Sequence, residues 1–122
     1  GTTISSLLET EAFLNAILTT KQKAEDNLRQ TEKGYFFYPF GQEYHQKKMQ
    51  PMLFVARKGE VKPHLLQHEG EEFIYIISGE MKMTVGEIDY HLKTGDSLYF
   101  NCLQKHGIMP ISDEVHYLDI FV

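Results

Sequence analysis

Residues 63–81 read PHLLQHEGEEFIYIISGEM, and residues 92–108 read LKTGDSLYFNCLQKHGI. Each stretch sets an aromatic and β-branched run beside glycine: Phe73–Ile77 between Gly70 and Gly79, and Leu98–Phe100 after Gly95. Runs of this kind between turn residues read as strands. The same punctuation extends outward from Gly34 to the C-terminus through GYFFYPFG, MLFVARKGE, MKMTVGE, IDYHLKTGD and HYLDIFV, with Gly59, Gly70, Gly79, Gly86 and Gly95 recurring about every ten residues. That rhythm predicts an all-β sandwich or barrel over residues 34–122. Met81, Met83 and Val85 alternate with polar residues and so share one face. Phe73–Ile77 is apolar on both faces. It predicts a central strand, or one covered outside by a partner or by the N-terminal helix. Tyr35, Phe36, Phe37, Tyr38 and Phe40 predict an alternating strand with one face in the core.

A chain of 122 residues is the length of one domain and can bury a core without disulfides or metals. Twelve Lys and Arg against seventeen Asp and Glu leave a net charge of -5, with no basic block. A chain that neutralises several phosphates carries a basic face, so this one by itself is a poor DNA binder. No apolar run approaches the ~20 residues of a membrane helix, and the N-terminus lacks the order of a signal peptide. Cys102 is the single cysteine, so no intramolecular disulfide forms and a reducing cytoplasm is the expected compartment.

The first 33 residues differ in character. Ile4, Leu7, Leu8, Leu14, Ile17 and Leu18 recur at helical steps, and Ser6 with Glu9 has the spacing of a capping box. From Thr19 to Lys33 only Ala24 and Leu28 are apolar, as in a solvated helix or a linker. Such a segment caps a neighbouring unit or is the remnant of one.

Within the β region, His68, Glu72 and His106 carry metal-ligand chemistry. If Gly70 makes a turn, His68 ends one strand and Glu72 begins the next, and both point into one interior. Imidazole nitrogens with a carboxylate oxygen suit zinc, iron, manganese or nickel. By spacing alone the signal is weak, because six histidines generate chance pairs.

These residues carry a family resemblance. The two quoted stretches resemble the two motifs of the cupin superfamily: His-x-His, three or four residues, Glu, six residues, Gly; then Gly-Asp, a strand, and a His about eleven residues after the Gly. His68, Glu72 and Gly79 match the first, and Gly95, Asp96 and His106 the second. The resemblance spans residues 49–122. It implies a cupin double-stranded β-helix, a jelly-roll barrel, following an N-terminal helical segment. It also implies a site for one divalent metal held by His68, Glu72 and His106. Two positions depart from the pattern. Leu66 stands where the first histidine belongs, and Lys105 where a proline often precedes the second-motif histidine. Three family ligands of four survive, a set that leaves open coordination positions but that also marks a site the chain has lost if Leu66 abolishes binding.

His64 lies roughly 13 Å from His68 on an extended strand, too far to share an ion easily. The same parity places it inward with Leu66. It reads as a ligand-pocket residue, against the plainer reading of a surface histidine on a loop. Cys102 reads as a buried structural thiol, and Asp96 as a turn residue whose carboxylate bonds nearby amides. Glu71 reads as the exposed neighbour of Glu72, and His91 and His116 carry no assigned role.

A finer resemblance runs from NLRQTEKGYFFYP to DEVHYLDIF, which looks like the C-terminal cupin domain of XRE-type helix-turn-helix regulators. That implies a DNA-binding domain preceding this chain, with TTISSLLE resembling the end of its last helix and residues 1–33 as the link. It implies a small-molecule effector as partner, DNA contacts only through the missing domain, and a homodimer reading paired half-sites. No catalytic residue is assigned on this reading. The alternatives are a small metal-dependent cupin enzyme, a dioxygenase or isomerase, and a metal-free barrel that only dimerises.

Overall fold

The computed structural model describes residues 15–122. Helix α1 (Lys21–Asp26) is followed by strands β1 (Arg29–Gln30), β2 (Phe36–Pro39), β3 (Gln50–Arg57), β4 (Glu71–Ser78), β5 (Glu80–Val85), β6 (Ile88–Lys93), β7 (Ser97–Asn101), β8 (His106–Pro110) and β9 (Glu114–Phe121). One sheet has the order β1-β2-β3-β9-β4-β7 and the other β6-β5-β8. Every pairing is antiparallel; the chain forms the all-β fold expected from the glycine-punctuated runs, in the jelly-roll form that the cupin resemblance implies.

Strand β9 organises the larger sheet. It pairs with β3, setting Phe54 against Tyr117, and with β4, setting Ile74 against Asp119. Side chains alternate across a strand, so this register puts Met52, Phe54, Ile74, Tyr117 and Asp119 on one inward surface. The core beneath it includes Ile74, Ile76, Met81, Met83 and Val115, each at most 1% exposed. Burying each such side chain contributes about 1.5–3 kcal/mol. Val85 continues the Met81–Met83 face and packs partly buried against the same cluster.

Both faces of the β2 region are covered, where the sequence predicts one. Tyr35 and Phe37 belong with the barrel core. Phe36, Tyr38 and Phe40 instead join Ala24, Leu28, Leu53 and Val55 in a second cluster beneath α1. A six-residue helix is too short to persist on its own. Here the Thr20 hydroxyl accepts from the Lys23 amide at 3.1 Å, and burial of Ala24 on the sheet supplies the rest.

Strand β4 is central, between β9 and β7. Its outer face is not covered by α1: Tyr75 and Ile77 are 41% and 48% exposed. The helical pattern at Ile4–Leu14 lies outside the described residues. Ile17 and Leu18 are not helical, and Leu18 is exposed. Regular pairing begins at Arg29, ahead of the compositional change at Gly34, because Gly34 itself turns the chain between β1 and β2. Its φ is +103°, and a Cβ there would collide with the Glu60 carbonyl.

Candidate metal centre

Residues 62–68 form no regular strand, where the sequence predicts one ending at His68. Pro63 has no N–H to donate to a ladder. The segment is held by a single bridge, Leu66 to His106, and by the His68 amide donating to the Cys102 carbonyl at 3.0 Å. Gly70 makes the turn that the sequence implies. Its φ is +109° and a Cβ would strike the carbonyl oxygen of Val122, so the turn into β4 is open only to glycine. Glu72 then enters β4 facing inward. His106 begins β8 and is 3% exposed.

Three elements thereby bring His68, Glu72 and His106 together. Glu72 Oε1 lies 3.2 Å from His68 Nε2 and 3.6 Å from His106 Nε2. Cys102 Sγ approaches the same oxygen at 3.5 Å. The four donor atoms all lie within 4.8 Å of one another. His68 Nδ1 is 3.0 Å from the Glu69 carbonyl and His106 Nδ1 is 2.8 Å from that of Gln104. Only an Nδ1–H can make these contacts, so both rings face the carboxylate with Nε2, as an N–H in the imidazolium and as a lone pair in the neutral ring. Metal-binding histidines are commonly oriented by such a bond from the other nitrogen. The buried His106 Nε2 has no hydrogen-bond partner, and an orphaned buried nitrogen calls for an explanation. A divalent metal fits this donor set. His68, Glu72 and His106 would hold it, and as a Lewis acid it would polarise a bound oxygen.

The charges around the cluster are coupled. Burial alone would push Glu72 upward, but the His106 imidazole, the Asp119 carboxyl and the Cys102 thiol beside it outweigh burial and hold the carboxyl below its ordinary range. Burial opposes an imidazolium at His106, yet the Glu72 carboxylate prevails and raises its pKa. Burial, then the charge and hydrogen bonding of Glu72, push Asp119 up to about 9. Asp119 therefore holds its proton more tightly than an ordinary carboxyl, and its Oδ1 also lacks a partner. Burial and the Glu72 charge push the Cys102 thiol up to about 12.

His68, Glu72 and His106 line a cavity of about 160 Å³ that is also walled by Tyr35, Phe54, Ile74, Met83 and Tyr117. His64 and Leu66 also line it. His64 stands against Tyr35, with ring centroids 5.6 Å apart, and is not among the clustered donors. His68 is the solvent side of the site, its side chain 40% exposed.

Two members of this environment were not assigned to it from sequence. Asp119 is legible as a carboxylate at an inward position of HYLDIFV, in step with Val115 and Tyr117. Cys102 is legible as the inward successor of Leu98 and Phe100. It is a fully buried free thiol, but one directed at Glu72. Asp96 is a turn residue, its carboxylate accepting from the Lys93 amide at 2.8 Å. Glu71 is exposed and accepts from the Tyr99 hydroxyl. His91 and His116 pair on the surface with Glu80 and Glu114. No helix among the described residues is long and apolar enough to cross a membrane.

Comparison with solved structures places this architecture. KdgF from Halomonas sp. superposes with a TM-score of 0.74 at 17% identity, over 88% of this chain and 93% of that one. FeII HppE superposes at 0.72 with 14% identity, over 88% of this chain and 61% of the other. An HTH_3 family transcriptional regulator from Vibrio cholerae superposes at 0.66 with 15% identity, over 83% of this chain. The chain spans about 58% of that regulator. At these identities the likeness concerns the fold. No curated protein matches at the level of sequence. Residues 52–121 match the family model of the cupin domain, more than half of the sequence, and the chain belongs to the cupin family.

Proposed function

We propose that this chain is the effector-sensing cupin barrel of a DNA-binding transcriptional regulator, holding one divalent metal through His68, Glu72 and His106 and a small molecule against His64 and Leu66. The observation that carries this reading is the two-sided use of β3. Met52 and Phe54 face the cavity, while Leu53 and Val55, on the opposite face of the same strand, pack beneath α1. Closely packed side chains transmit displacement instead of absorbing it. A ligand that shifts β3 is thus felt by the segment leading toward a preceding domain. Coupling of this kind commonly amounts to about 1–3 kcal/mol. The acidic charge agrees with DNA contacts made elsewhere in a longer protein. A second copy of the chain is the partner we assign to the exposed outer face of β4 and β7, where Tyr75, Ile77 and Tyr99 lie, since helix-turn-helix proteins read paired half-sites.

A small metal-dependent enzyme is the competing reading. It is favoured by the exposed His68 edge and by a donor set that leaves room for substrate on the ion. The deciding experiment incubates metal-loaded protein with small carboxylic acids, sugars and amino acids, following binding by thermal shift and turnover by mass spectrometry. Saturable binding without product supports the sensor. Product formation abolished by Glu72→Ala overturns it in favour of the enzyme.

A further inference from the structure

We propose that Cys102 completes the metal centre as a thiolate ligand, replacing with sulfur the nitrogen donor that the family pattern has at position 66. This rests on the metal-site reading above and extends it to a residue outside the family motif. Leu66 offers no donor atom, so the motif alone leaves three ligands. Cys102 supplies a fourth from the turn that follows β7. It follows Leu98 and Phe100 in inward parity, and its backbone is clamped to the first motif on both sides: the Cys102 amide donates to the Gly70 carbonyl at 2.9 Å, and its carbonyl accepts from His68 at 3.0 Å. The position of Sγ is therefore set by the same chain segment that carries His68.

The distances suit one ion. Bonds of about 2.0–2.3 Å at tetrahedral angles place ligand atoms roughly 3.3–3.8 Å apart. Sγ stands 3.5 Å from Glu72 Oε1, and that oxygen 3.2 and 3.6 Å from the two imidazole nitrogens. The widest separation in the group is within 4.8 Å, about one ångström from closure. The His106 side chain, 3% exposed and with its Nε2 unpartnered, is aimed into the same group. As the sulfur–metal bond forms, the thiol proton leaves to solvent. One thiolate and one carboxylate then neutralise the dication, leaving no net charge in the low-dielectric barrel, where an uncompensated charge is costly. Thiolate also favours zinc, cobalt or iron over manganese, whose preferred donors are oxygen.

The plainer role for the thiol is donation of its S–H to Glu72. The two are separated by loading the purified chain with zinc(II) and cobalt(II) and measuring metal per chain by elemental analysis alongside spectroscopy. We expect about one metal per chain, a sulfur neighbour at about 2.3 Å from zinc in X-ray absorption, and a sulfur-to-cobalt charge-transfer band. Cys102→Ser should lose the band and bind metal tenfold or more weakly. One metal per chain with only nitrogen and oxygen neighbours overturns the role of Cys102 and leaves the site of His68, Glu72 and His106 standing. No bound metal overturns both. The wild-type absorption measurement needs no variant, so a Cys102→Ser protein that fails to fold does not compromise the test.

Discussion

Leu66 and His106 face each other across a single antiparallel bridge: the Leu66 amide donates to the His106 carbonyl at 2.7 Å, and the His106 amide returns the bond at 2.9 Å. Directly opposed residues on an antiparallel pair present their side chains to the same face. Leu66 therefore sits beside a family ligand, pointing into the cavity it lines. Leucine at this position offers the site no donor, while its backbone remains bonded to that of His106.

Leu66→His should accordingly restore a nitrogen donor at little structural cost. The expected outcome is about a tenfold gain in affinity for nickel(II), an ion that readily accepts imidazole and more than four ligands. Competition against a chromophoric chelator measures it. Unchanged affinity would show that a side chain at position 66 does not reach the ion.

Gly70→Ala should destabilise the barrel by about 2 kcal/mol or more, since a left-handed backbone and a steric collision are imposed together. The collision is with the Val122 carbonyl, in the turn between His68 and Glu72. Urea denaturation of chelator-treated protein isolates the folding cost, and metal titration should show a weakened site in parallel. A change below 0.5 kcal/mol, on the order of an ordinary surface substitution, would contradict the geometry of the turn.

Glu114 supplies a pH-dependent contribution away from the site. His116 above all, with help from Arg57 3.3 Å away, holds its carboxyl below the ordinary value. A carboxyl lowered in this way binds fewer protons folded than unfolded near its titration range. Its contribution is complete above pH 4.5, the unperturbed value, and is lost as pH falls through the folded pKa. The side chain is 44% exposed, so the contribution is only about 0–1 kcal/mol. Glu114→Gln should be less stable than wild type by that amount at pH 6, with the difference vanishing toward pH 3 in urea titrations.

Ile77→Lys tests the outer sheet face. Ile77 is half exposed, on the side of β4 opposite the buried Ile74 and Ile76. Light scattering after size exclusion should find a dimeric wild type and a monomeric variant with equal metal content. A monomeric wild type at tens of micromolar would remove the second copy from that face.

The sequence carried the elements and the inward-facing residues because both are local properties. Gly70, Gly79 and Gly95 announce turns, and the two-residue period of Met81–Val85 chooses a face without reference to any partner strand. His68, Glu72 and His106 were legible through motif spacing, while the double coverage of Phe36 and Phe37 was not: the short α1 buries Ala24 on an outer face whose apolar residues the strand pattern alone leaves without a reason. Cys102 and Asp119 mark the same boundary. Alternation identifies each as an inward residue, but many inward residues line a barrel, and which of them meet is decided by register. Pairing Ile74 with Asp119 brings that carboxyl beside Glu72, and pairing Glu72 with Phe100 carries Cys102 to the same level. Those pairings join residues distant in the chain through hydrogen bonds between backbones, which have the same donors and acceptors at almost every position. The sequence by itself determined an all-β cupin chain with three candidate ligands; only the tertiary register decided that a thiol and a second carboxyl share their site.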